Sequence, residues 1–134
     1  MTEEDPVRAI QRAMAEELGI PKLRRHIFLC CDQSLPKCCD KAKSLQSWSY
    51  LKRRLEELGL SPASDPGGPP GRGDVFRTKA NCLRICAAGP IAVVYPEGTW
   101  YGNCTPDVLE QIIQKHLLGG EVATEHLIVQ RRLG

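Results

Sequence analysis

The chemistry open to this sequence starts with its seven cysteines. Four of them form two doublets, Cys30–Cys31 and Cys38–Cys39, inside the stretch CCDQSLPKCCD. Cys82 and Cys86 make a C-x-x-x-C in CLRIC, and Cys104 stands apart. A deprotonated cysteine is a nucleophile, a redox centre or a soft metal ligand. Four thiolates in two groups can hold zinc or an iron–sulfur cluster. Zinc sites usually take paired ligands about two to four residues apart. The eight residues between Cys30 and Cys39 span a wider centre. A [2Fe–2S] rhomb takes its ligands in two pairs on opposite sides and tolerates that span better than a single tetrahedral ion.

The rest of the chain bounds where such chemistry happens. At 134 residues it is one domain by length, large enough to bury its own core without staples. Apolar and charged residues make up 42% and 25%, as in an ordinary globular protein. Eighteen basic and sixteen acidic residues leave a net charge of +2, too balanced to imply nucleic-acid binding. No apolar run approaches the roughly 20 residues of a membrane helix. The start, MTEEDPVRAIQRAM, lacks the basic and apolar regions of a signal peptide. A cytoplasmic protein is expected. In a reducing compartment cysteines serve as metal ligands or redox thiols more often than as structural disulfides, and the odd count argues against full pairing.

The elements that must position the cysteines follow from periodicity. Residues 5–19 read as a helix capped by Asp5 and stopped by Gly19, with Val7, Ile10, Met14 and Leu18 as its apolar stripe. That stripe is expected to pack onto the domain, with a partner-binding arm as the alternative. RRHIFLC, residues 24–30, reads as a strand, and 31–43 as a loop. Ser44 is a candidate cap for the next helix, which carries Leu45, Trp48, Leu51, Leu55 and Leu58 as core and ends at Gly59. Residues 60–73 are a Pro/Gly connection. DVFRT starts a second strand, and IAVVYP and TWYGN form a hairpin about PEG. Thr105-Pro106 opens a last helix with Val108, Leu109, Ile112, Ile113 and Leu117 buried, and residues 121–134 read as a partly anchored tail. The order predicts an α/β, thioredoxin-like domain with a four-stranded mixed sheet flanked by helices and an extra N-terminal helix. Residues 1–22 are the helical extension and 23–134 the domain.

HIFLC, CCDKAKS, CLRICAAGP, VVYPEGTWYGN and TPDVLEQIIQKHLLGGE together resemble the thioredoxin-like [2Fe–2S] ferredoxins. The resemblance runs from about residue 24 to residue 128. It carries one cysteine after the first strand, a second some eight to twelve residues on, and then C-x-x-x-C. Gly89-Pro90 and Val94-Tyr95-Pro96-Glu97-Gly98-Thr99-Trp100-Tyr101 match the late signature. It implies a [2Fe–2S] cluster on Cys30, Cys39, Cys82 and Cys86, and a one-electron carrier, not an enzyme, working between redox partner proteins. Cys31 and Cys38 are alternatives to their neighbours. Cys30 is preferred because it directly ends the strand, Cys39 because it stands at the family's distance before the Ser44 helix start.

Other readings remain beside this one. The chain also resembles the small iron–sulfur subunit of NAD-linked dehydrogenases and hydrogenases, where the first pair is spaced more tightly. A thiol redox protein would place C-x-x-C at the start of the first core helix, and none stands there. A structural zinc module is the remaining alternative. Cys104 reads as a small, partly buried hydrophobe, and His26 and His116 as structural. Lys37, Lys41, Lys43, Arg77, Lys79 and Arg84 fall in or beside the ligand loops, where cations offset a negative cluster and guide an acidic partner. The sequence leaves a homodimer open.

Overall fold

A computed structural model describes residues 5–31, 40–62, 72–85 and 87–132. Helix α1 (Pro6–Glu17) comes first, followed by a 3-10 turn at Ile20–Lys22. Strand β1 (Arg25–Cys30), helix α2 (Lys41–Glu57) and strand β2 (Val75–Ala80) follow. The hairpin β3 (Ala92–Tyr95) and β4 (Thr99–Tyr101) leads to helix α3 (Pro106–Ile112), which continues as a π-helical turn at Ile113–Leu118. A 3-10 turn at Thr124–His126 leads to strand β5 (Leu127–Gln130). The sheet order is β2-β1-β3-β4-β5, with β1 and β2 parallel and all other pairs antiparallel.

Alternation along each strand divides the sheet into two faces. Ile27, Leu29, Ala92, Val94 and Tyr101 point to one face and are fully buried there. Leu51 and Leu55 of α2 and Val108, Leu109, Ile112, Ile113 and Leu117 of the last helix close over them as one core. The two helices lie side by side. Glu110 accepts bonds from Arg54 Nε at 2.8 Å and Tyr50 Oη at 2.6 Å, and the Arg54 guanidinium holds its carboxyl down at about 2. The opposite face carries His26 stacked on Phe28 at 4.0 Å, with Phe76 and Tyr95 edge-on.

Several expectations are corrected here. The sheet has five strands, not four, because the tail is seated. Arg131 N–H donates to Gly98 O at 2.8 Å, and β5 pairs with β4 from Thr99↔Gln130 to Tyr101↔Leu127. Gly98 makes this possible. Its φ is +66°, and a Cβ there would collide with the Arg131 carbonyl. Helix α2 begins at Lys41 after Asp40, not at Ser44. Ser44 is inside the helix, buried, and turns its Oγ back onto Lys41 O at 2.8 Å. The α1 stripe does not pack onto the domain. Val7, Ile10 and Met14 are 60%, 61% and 58% exposed, and α1 has no buried residue. Gly19, at φ +79° against Pro62, ends the helix and turns the chain into β1.

Far from the Cys30 end of β1 a relay, fully buried at Tyr101 and His116 and part-buried at Glu97 and Arg25, ties β1, the β3–β4 hairpin and the last helix together. Ala123 N–H donates to Tyr101 Oη at 3.1 Å, and Tyr101 Oη lies 2.8 Å from His116 Nδ1. His116 Nε2 lies 2.9 Å from Glu97 Oε1, which also accepts from Arg25 Nε at 3.1 Å. The only arrangement that satisfies every group is Tyr O–H to Nδ1 and Nε2–H to the carboxylate. Burial pushes the His116 pKa down, more than the Glu97 carboxylate raises it. Burial raises that of Glu97, but the bonds from His116 and Arg25 outweigh it and leave the carboxyl below its usual range. No helix among the described residues is long and apolar enough to cross a membrane.

Two outcomes are expected. Gly98→Ala should cost roughly 1–3 kcal/mol through strain and steric overlap, and should speed hydrogen exchange in β5; an unchanged melting temperature with a protected β5 would refute the seat. His116 has a folded pKa below its unfolded value, so it contributes stability above the unfolded pKa that is lost as pH falls. Glu97, also depressed, acts in the same direction at lower pH. The melting temperature should fall between about pH 7.5 and pH 5, and His116→Gln should flatten that slope. Identical slopes in the two proteins would rule out the relay as its source.

Candidate metal centre

Parallel pairing sets the geometry of the site. Cys30 is in register with Ala80, and the main chain continues the ladder with Cys31 N–H bonded to Ala80 O at 2.9 Å. Cys82 stands two residues beyond Ala80. Neighbouring strands lie about 4.8 Å apart, so the loops that follow β1 and β2 leave the same end of the sheet side by side. The crossover through α2 makes this parallel arrangement possible. The sequence places Cys39 at the foot of α2 and Cys86 in the loop after β2; both, with Cys38, lie outside the described residues. Among the described residues no three His, Cys, Asp or Glu side chains form a metal-holding group.

The two described members of the expected set each receive a backbone donor. Ile91 N–H donates to Cys30 Sγ at 3.0 Å, in a buried contact. Cys30 N–H in turn donates to Ile91 O at 3.0 Å, so one residue brackets the cysteine. Arg84 N–H donates to Cys82 Sγ at 3.2 Å, two residues along the chain. Arg84 reaches this geometry at φ +72°, a left-handed conformation that a non-glycine residue holds at a cost of about 1–2 kcal/mol. A sulfur that collects N–H donors is suited to carry negative charge, as a metal-bound thiolate does. The donor set is therefore the right chemistry for a thiolate-ligated centre. Cys30 is buried and Cys82 exposed, so one side of such a centre is shielded and the other meets solvent.

The remaining candidates fall into place around these two. Cys31 is buried beside Cys30. Cys104 is a small hydrophobe in the core, as expected, but fully and not partly buried. Burial pushes its thiol well up, and a charge on nearby Cys30 adds to the shift. His26 bonds Thr78 Oγ1 at 2.7 Å and stacks in the aromatic cluster, and burial lowers its pKa. His116 belongs to the distant relay. Lys41, Lys43, Lys79 and Arg84 are exposed near the loops. Arg77 is part-buried and bonds Ser61 Oγ at 2.9 Å and Glu56 at 3.3 Å. Sequence reasoning missed Ile91 and Arg84 as donors to sulfur. Both act through the backbone, so side-chain identity gives no signal for either.

No family model matches the chain. A 2Fe-2S ferredoxin from Aquifex aeolicus is 43% identical over 114 residues, 80% of this chain and 90% of the relative. One from Clostridium pasteurianum is 37% identical over 100 residues, 74% of this chain and 90% of the relative. A solved thioredoxin-like [2Fe-2S] ferredoxin from Aquifex aeolicus superposes with a TM-score of 0.62 at 26% identity, covering 83% of this chain and 96% of that one. With relatives of that identity matched over nine tenths of their length, and with a matching fold, the chain belongs to the thioredoxin-like [2Fe–2S] ferredoxin family.

Proposed function

We propose that this protein is a one-electron carrier that holds a [2Fe–2S] cluster on Cys30, Cys39, Cys82 and Cys86 and works between redox partner proteins. Residues 23–134 form the electron-carrying domain and residues 1–22 an extension to it. The observation that carries the reading is the buried N–H···S bond from Ile91 to Cys30 at the end of β1, in register with the strand that leads to Cys82. A bound [2Fe–2S] cluster supplies reversible uptake of one electron.

The chain's own residues supply the rest. Ile91 and Arg84 aim N–H dipoles at sulfur, which favours added negative charge and so raises the reduction potential. Buried Cys30 excludes water from one side. Exposed Cys82 marks the side where a partner approaches. Lys41, Lys43, Lys79 and Arg84 lie at the surface there and suit a partner with an acidic docking face. Electron transfer asks for rigidity and proximity, not for a substrate pocket.

Protein purified without oxygen should be coloured and carry two irons and two sulfides per chain. A colourless chain that instead takes up zinc stoichiometrically would remove the proposal. Ser in place of Cys30, Cys39, Cys82 or Cys86, one at a time, should abolish or markedly alter the visible spectrum. Cys31→Ser and Cys38→Ser should leave it intact. Loss of the spectrum in Cys31→Ser with retention in Cys30→Ser would move the ligand by one residue.

A further inference from the structure

The donor to Cys30 is half of a peptide unit that is held at both ends. Ile91 N–H, which meets the sulfur at 3.0 Å, belongs to the same amide as the Pro90 carbonyl. That carbonyl accepts from Cys104 N–H at 2.8 Å. One residue earlier in the same turn, Asn103 N–H donates to Ala88 O at 2.7 Å, and Thr105 N–H closes the turn onto Asn103 O at 2.8 Å. The segment between β4 and α3 therefore grips the segment that enters β3 at two points. Both Asn103 and Ala88 sit at φ +49°. Asparagine tolerates this left-handed conformation better than most residues.

The contacts that run from Cys30 through the Pro90–Ile91 amide to Cys104 are dry, whereas Asn103 and Ala88 are exposed. Cys30 is 1% exposed, and Ile91 and Cys104 are fully buried. Hydrogen bonds in such surroundings are stronger than in water and polarise one another. A carbonyl that accepts a bond makes its own amide N–H a better donor. The Cys104 thiol anchors the turn from below, packed in the main core with Sγ 3.6 Å from Tyr101 O and 3.7 Å from Gly102 O.

We infer that the Asn103–Cys104 turn is a positioning device for the Cys30 ligand. By holding the Pro90 carbonyl it fixes the distance and strength of the Ile91 N–H···S bond, and through it the reduction potential. The inference rests on the proposed cluster. It makes Cys104 a positioning residue and not a reserve ligand. The N–H dipole favours the more negative, reduced state, so loosening the grip lowers the potential.

The test is a potentiometric titration of iron-loaded protein, followed in the visible spectrum, beside hydrogen exchange of the 88–93 segment. Asn103→Val strains the turn, since a β-branched side chain is disfavoured at positive φ. Cys104→Ala removes the sulfur anchor. Both should weaken reduction roughly three- to tenfold, about 30–60 mV for one electron, and should speed exchange at residues 88–93. Asn103→Gly, which keeps the conformation, should restore the wild-type potential. Val108→Ala, a core change on α3, should lower the melting temperature without moving the potential. If Asn103→Val does not fold, Asn103→Ala carries the same readout with less strain. Unshifted potentials in destabilised turn variants would overturn the inference, as would an equal shift in Val108→Ala. A wild-type chain that takes up no iron fails the cluster reading itself, whereas loaded wild type with unshifted turn variants fails only the turn.

Discussion

The parallel pairing of β1 with β2 is the constraint on which the site depends. A parallel pair cannot be joined by a tight turn, so the chain must cross from the end of one strand to the start of the next. Here α2 makes the crossing and supplies Leu51 and Leu55 to the core. The same crossing sends the two cysteine loops out of one end of the sheet, because parallel strands finish on the same side. An antiparallel β1–β2 pair would send Cys30 and Cys82 to opposite ends. The register Cys30↔Ala80 thus bears on the proposed metal centre as well as on the sheet.

The two ends of the sheet use polar groups in opposite ways. At the relay, ionisable side chains are satisfied by one another, from part-buried Arg25 and Glu97 to fully buried His116 and Tyr101. Removing one member leaves another buried without its partner, which costs more than the net worth of the bond. At the cysteine end the donors to sulfur are backbone N–H groups. They carry no net charge and no titration of their own, so they bias a thiolate without adding pH dependence. Their positions are fixed by strand pairing and turns.

Much of this was legible in the sequence because it rests on local periodicity. The strand ending at Cys30, the hairpin about PEG, the Thr105-Pro106 helix start and the buried face Val108, Leu109, Ile112, Ile113 and Leu117 all follow from spacing and turn chemistry. Four features were not legible. β5 is short and its residues are exposed, so periodicity does not mark it; the signal was Gly98, whose role appears only when Arg131 lies against it. The α1 stripe looks like a buried face, but burial needs a partner, and the described residues bring none to Val7, Ile10 and Met14. Ser44 is a good cap by type, yet the helix starts earlier at Asp40 and uses the serine internally. The donors to sulfur are main-chain atoms and leave no residue signature.

What separates this chain from a thiol–disulfide protein on a similar scaffold is, among the described residues, how Cys30 is held. Thiol exchange needs an accessible thiolate whose pKa is lowered and whose partner sulfur stands ready beside it. Cys30 is buried, capped by Ile91 N–H and clasped through both of that residue's backbone groups. Such a sulfur is poorly placed to attack an incoming disulfide and well placed to remain bound while charge on it changes. A carrier benefits from that fixity. An electron moves without any bond being made, so each atom that must shift with it adds to the barrier, and a sulfur locked between a strand and a doubly held peptide, as Cys30 is, has little room to shift if it holds the cluster as proposed.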